Sequence, residues 1–121
     1  DSRVSRGLGD VYKRQNVIKD FHPKPYGRYA EDGKGAGVYF RELLAKELHS
    51  NDKVEVVLTG YNRYGRSFID EAFGGLIRED GFTKADLDQK LTYVHADVKS
   101  IEKLIEDRIE AAERDRHNND G

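Results

Sequence analysis

Ser67-Phe68-Ile69-Asp70-Glu71-Ala72-Phe73-Gly74-Gly75-Leu76 decides how this chain is read. Val54-Glu55-Val56-Val57-Leu58 runs up to it as an apolar strand, and a polar loop with Gly60, Asn62 and Gly65 joins the two. Ser67 stands where a helix is expected to begin, with an acid three positions on at Asp70 and an apolar run around it. This is close to a capping box, in which the serine oxygen accepts a backbone N–H left unpaired by the first turn. Phe68, Ala72 and Leu76 share one helical stripe, with Ile69 and Phe73 beside it, so a mostly buried helix is expected. Gly74-Gly75 costs that helix about 1 kcal/mol each relative to alanine. Such a pair signals the close approach of another backbone.

Working outward, residues 16–21 read as a first strand, ended by His22-Pro23-Lys24-Pro25 because proline cannot donate to a ladder. Residues 27–30 read as a short returning strand. A glycine-rich loop, 31–37, then opens a helix over 38–48 with Phe40, Leu43, Leu44 and Leu48 as its buried stripe. Downstream, Thr83-Lys84-Ala85-Asp86 suits the head of a short helix, and 91–95 reads as a core strand. A long helix is expected over 97–114, buried through Val98, Ile101, Leu104, Ile105, Ile109 and Ala112, with a frayed polar tail over 115–121. Its exposed face sets Glu102, Glu106 and Glu110 four residues apart, where they repel. Alternating strands and helices imply right-handed crossovers. The expected fold is α/β, a small mixed, largely parallel four-stranded sheet with about three helices and strand 54–58 at its centre.

The decisive stretch, strand then loop then S-F-I-D-E-A-F-G-G-L, resembles the bacterial STAS-like domain of unknown function. A second matching stretch lies upstream at Gly27-Arg28-Tyr29, Asp32-Gly33, Gly37 and Phe40-Arg41-Glu42. Together the two place residues 16–114 in a STAS-like domain, a relative in shape of the anti-sigma factor antagonists. The resemblance implies a bacterial regulatory, protein-interaction module without assigned catalytic residues, partnered by a histidine-kinase-like ATPase domain in cis or in trans. Antagonists carry a phosphorylated serine at this kind of strand-to-helix junction. Here Arg66-Ser67-Phe68 replaces their aspartate–serine pair followed by glycine.

Residues 5–15 show no amphipathic period and resemble the translation of a sequencing adapter, so 1–15 are expected to lie outside the fold. Those fifteen residues hold Arg3, Arg6, Lys13 and Arg14 against Asp1 and Asp10; with a chain total of −2, the remainder carries −4. A mildly acidic domain argues against nucleic acid as a partner, because phosphate contacts need a basic face. Cysteine is absent, which removes disulfides and thiolate chemistry, and no apolar run reaches the length of a membrane span. A cytoplasmic location is expected.

Ser67 has two roles open to it, plain helix cap or phosphoacceptor, and capping alone accounts for the residue type. The interaction surface expected around it is the loop 59–66 with the exposed face of the helix, drawing on Tyr64, Arg66, Asp70 and Glu71. The second candidate feature is an anion-binding loop of Gly33, Gly35 and Gly37 with Arg41, since glycines before a helix let N–H groups approach a phosphate. It matches neither G-x-x-x-x-G-K-[ST] nor G-x-G-x-x-G, so a turn that heads the helix is the preferred reading. Arg41 is expected to pair with Asp70 or Glu71. The four histidines have no metal-like spacing, and no serine or threonine sits in a nucleophile motif. No metal, cofactor or enzymatic activity is expected. The alternative function is small-ligand or nucleotide binding at the Gly35–Gly37 and Ser67 helix mouths.

Overall fold

The computed structural model describes residues 12–120. Strand β1, Tyr12–Asn16, leads into a single π-turn at Val17–Phe21, then a loop with a 3-10 turn at Ala30–Asp32. Helix α1 (Gly37–Ser50) and strand β2 (Lys53–Val57) follow. Next comes one continuous helical rod: α2 (Arg66–Ile69), a π-helical segment (Asp70–Gly74) and α3 (Gly75–Arg78). Helix α4 (Lys84–Lys90), strand β3 (Leu91–Val94) and helix α5 (Lys99–Asp120) complete the chain. The three strands form a parallel sheet in the order β1-β2-β3, which puts the 54–58 strand at its centre as its apolar run predicts.

A sheet that winds steadily in one direction through right-handed crossovers gathers its helices on one face. The alternation along β2 reflects this, with Val54 and Val56 buried and Glu55 and Val57 half-buried. Beneath the helices lies an aromatic core in which Phe40 touches Phe21 (5.2 Å between ring centres), Phe68 (6.0 Å) and Phe73 (6.1 Å). The rod runs through the middle, and its π-helical segment packs against both α1 and α5.

Several boundaries differ from the sequence reading, each for a local reason. The first strand is 12–16 rather than 16–21, because Asn16 starts a turn: its side chain accepts from Lys19 N (3.1 Å) and its N–H donates to the Asp20 carboxylate (2.8 Å). Residues 12–15, expected outside the fold, are therefore part of the sheet; the expectation for 1–11 lies outside the described residues. Residues 27–30 are not a strand, so the sheet has three strands instead of four. The Asp32 carboxylate accepts the N–H groups of Arg28 (2.9 Å) and Tyr29 (3.3 Å), which removes them from any ladder. The tail is helical to Asp120, where Glu113 binds Arg116 (2.6 Å) and His117 (2.8 Å) one turn on. Thr83 does cap α4, its hydroxyl accepting from Asp86 N while Asp86 accepts from Thr83 N.

Candidate functional site

The rod's π-helical segment carries Asp70 and Glu71, and four arginines from four different elements converge on this pair. Arg28, from the loop before α1, donates to Asp70 Oδ2 at 2.6 Å and stands 3.7 Å from Glu71. Arg41 of α1 donates to Glu71 Oε2 at 2.6 Å, with its Nε 3.2 Å from Asp80. Arg78 reaches Asp70 Oδ1 at 3.3 Å and the Asp70 carbonyl at 3.2 Å, and Arg108 of α5 lies 4.0 Å from Asp70. Glu71 is 4% exposed. Such a buried charge persists only because it is paired on several sides. A π-turn inserts one residue into the helical register, and such turns recur where a helix must present side chains in an unusual direction.

The glycines of the decisive stretch make room for this hub. A β-carbon on Gly75 would stand 2.7 Å from Cδ of Arg41, and one on Gly74 would stand 3.3 Å from the Arg108 carbonyl. Facing them, a β-carbon on Gly37 would stand 2.8 Å from the Phe68 carbonyl and 2.9 Å from Cβ of Glu71. The close approach that Gly74-Gly75 signals in the sequence is thus that of α1 and α5 to the rod. The expected Arg41 pairing is made, with Glu71.

Burial and pairing act in opposite directions on the carboxyls of Asp70 and Asp80. Burial pushes the Asp70 carboxyl up, but hydrogen bonds and charges from Arg28 and Arg78 outweigh it, and its pKa lies below the ordinary value. At Asp80 burial wins over the Arg41 charge, and the pKa is raised. Held by guanidinium groups from α1, α3, α5 and the loop before α1, the two acids of the rod form an electrostatic staple between helices.

Of the interaction residues expected from sequence, Arg66 is exposed, whereas Tyr64, Asp70 and Glu71 are turned inward. Tyr64 is buried, donates to the Leu58 carbonyl at 2.9 Å and has its pKa raised by that burial. Ser67 is exposed but does not cap: the helix begins at Arg66 after Gly65, and no side chain accepts from its first turn. Gly65 adopts the extended cap conformation itself, and this moves Ser67 to the second helical position. Ser67 lines a groove of about 310 Å³ together with Tyr26, Gly27, Arg28, Asp32 and Arg66. Both motif stretches of the sequence thus meet there. Tyr26 and Tyr29, on the same loop, are the most exposed large apolar residues among those described.

In the expected anion-binding loop, most of the backbone donors are engaged within the chain. The N–H groups of Gly37 and Val38 donate to the Gly27 and Arg28 carbonyls (2.8 and 3.0 Å), and those of Tyr39 and Phe40 donate to Ala36. Gly35 is packed on the Lys24 carbonyl and the His22 ring, and Gly33 serves a turn at φ +115°. Arg41 is consumed by its two acids. At the Gly35–Gly37 mouth the N–H groups of Ala36 and Gly37 are thus spent on the Gly33 and Gly27 carbonyls.

His95 was not singled out by spacing, yet it is fully buried at the junction of β3 and α5. Its Nδ1 accepts from the N–H groups of Asp97 (3.2 Å) and Val98 (3.0 Å), which leaves Nε2 to donate to the Tyr61 carbonyl at 2.8 Å. It pins the loop after β2 to the start of α5. Among the described residues no group of three His, Cys, Asp or Glu is arranged to hold a metal ion, and no helix is long and apolar enough to cross a membrane.

No curated protein and no solved structure matches this chain. A family model does match over residues 36–100, a span that holds α1, the central strand, the rod and β3. On that match the chain belongs to the STAS-like domain of unknown function family (DUF4325).

Proposed function

We propose that this domain is a non-catalytic regulatory module that docks a protein partner at the groove around Ser67. The partner that fits the family's likeness to anti-sigma factor antagonists is a histidine-kinase-like ATPase domain, in cis or in trans. One observation carries the reading: Ser67 is exposed, bonds no backbone group as a cap, and lies in a groove with Arg66 and two-thirds-exposed Tyr26 (65%). The acids that would oppose a phosphate on Ser67, Asp70 and Glu71, are already neutralised by Arg28, Arg41 and Arg78. Arg66 stands next in the chain, and uncapped N–H groups at a helix start favour an anion.

The test is calorimetric titration of a bacterial histidine-kinase-like ATPase domain into wild type, Tyr26→Ala, Arg66→Glu and Ser67→Asp. Binding to wild type with at least tenfold loss in Tyr26→Ala and Arg66→Glu is the expected result. Loss in Ser67→Asp together with phosphate at Ser67 by mass spectrometry, after incubation with the partner and ATP, identifies the groove as a switch. Full affinity in all three variants would move the docking site elsewhere. Ser67→Ala should change folding stability by less than about 0.5 kcal/mol, as expected of a surface side chain without a cap bond.

A further inference from the structure

Strand β3 is an edge: β2 pairs with it on one side, and among the described residues no strand pairs on the other. The direction of its open groups follows from the ladder. The Val94 carbonyl accepts from Leu58 N, so the N–H and C=O of Val94 face β2. Alternation along a strand then turns those of Leu91, Tyr93 and His95 outward. Two of these outward donors are engaged, Leu91 N by the Leu87 carbonyl at the end of α4 and His95 N by the Glu102 carboxylate at 2.9 Å. What remains open is one rung, the N–H and C=O of Tyr93, with the Leu91 and His95 carbonyls on either side of it.

That rung lies in a groove of about 300 Å³ between α4 and α5. The groove has an apolar floor, Leu87, Leu91 and Ile109, and its rim carries Asp88, Glu106 and Glu110 against Lys84. Lys84 is spent on Asp88 at 3.0 Å. The negative field is felt at Tyr93, whose hydroxyl is pushed up to about 12 by burial first and then by Glu106, Asp88, Glu102 and Glu110. Short edges are also a common way of discouraging chance pairing. Here, though, the open rung has its own apolar floor, which pure protection would leave out.

We infer that the β3 edge takes an extended, basic peptide segment as an added strand, with its backbone on Tyr93, its apolar side chains on Leu87 and Ile109, and its lysines or arginines against Glu106 and Glu110. Strand addition of this kind draws affinity from main-chain bonds and specificity from alternate side chains. This site is separate from the Ser67 groove and does not depend on the function proposed for it.

The probe is a fluorescein-labelled peptide of alternating valine and lysine, titrated into the full chain and read by anisotropy. Its controls are the valine–glutamate counterpart and a valine–lysine peptide N-methylated on alternate backbone amides. Saturable binding of the first peptide, at least tenfold weaker for both controls and for Glu106→Gln/Glu110→Gln, is expected. The Tyr93 amide should also become protected from hydrogen exchange on binding. Equal binding of the N-methylated peptide would reduce the effect to charge alone and overturn the strand addition. So would absence of binding at millimolar peptide, or binding that leaves the Tyr93 amide unprotected.

Discussion

At the scale of single residues, the informative side chains are those that hold charge inside the domain. Arg41 meets Glu71 at 2.6 Å and Asp80 at 3.2 Å from a position largely removed from solvent. Removing one partner of such a pair leaves the other buried and uncompensated. Arg41→Met should therefore cost about 3–5 kcal/mol in chemical denaturation. A loss under about 1 kcal/mol would mean Arg28 and Arg78 alone suffice for Glu71. Asp70 adds a pH dependence whose sign follows from its lowered pKa. A carboxyl held below its unfolded value of 3.8 contributes stability that is complete above that value and lost as pH falls through the folded one. Wild type should thus lose stability more steeply than Asp70→Asn as pH falls below about 4, measured by thermal unfolding at successively lower pH. Parallel curves would show that Asp70 does not couple to acid unfolding. Local spacing leaves these partners illegible: Arg28, Arg78 and Arg108 are far from Asp70 in the chain or ordinary in context. Arg28 and Arg41 both lie in the upstream stretch that resembles the family, but only Arg41 carries an expected pairing with these acids.

At the scale of elements, the rod is where sequence and structure agree best and where the agreement is most instructive. Its apolar positions Phe68, Ile69, Ala72, Phe73 and Leu76 are all fully buried, as the helical stripe predicts. Its start differs from the sequence expectation because serine is the usual cap, whereas Gly65 supplies the extended conformation and leaves Ser67 inside the first turn. The π-turn at Asp70–Gly74 has no composition of its own; it arises from packing on both sides. The strand expected at 27–30 failed for a similar reason, since a single carboxylate, Asp32, takes the donors a strand would need. Helix–helix approach gives this scale its prediction. Alanine normally gains about 1 kcal/mol over glycine in a helix. At Gly37, however, the added methyl would meet the Phe68 carbonyl at 2.8 Å and Glu71 Cβ at 2.9 Å, and neither is the free end of a flexible chain. Gly37→Ala should destabilise by about 1–3 kcal/mol in urea denaturation, because overpacking outweighs the propensity gain. An unchanged or raised midpoint would show that α1 can slide away from the rod.

At the scale of the whole molecule, the α/β class, the parallel winding and the central strand were legible because the alternation of strand and helix dictates them. The extent of the sheet was not, because β1 carries no apolar signal. Its sequence Tyr-Lys-Arg-Gln-Asn puts Lys13 and Gln15 on the same side, and Gln15 is 2% exposed all the same. Backbone pairing with β2, in register from Tyr12 opposite Lys53 to Asn16 opposite Val57, is what holds it. Each such bond is worth about 0.5–1.5 kcal/mol net, and the entropy of ordering the strand offsets much of that. Deleting residues 1–15 should accordingly lower stability by about 1–2 kcal/mol and leave cooperative folding intact, since Lys13, Arg14 and Gln15 bring no apolar side chain to the core. For a domain of this size that corresponds to a fall in melting temperature of roughly 4–12 °C. The comparison is between the full chain and the deletion, by calorimetry at one protein concentration. Equal melting temperatures would show that the ladder to β2 adds nothing and that residues 1–15 lie outside the stable domain, as their sequence alone suggests. Loss of a cooperative transition would make β1 part of the folding unit, with β2 unable to serve as an edge.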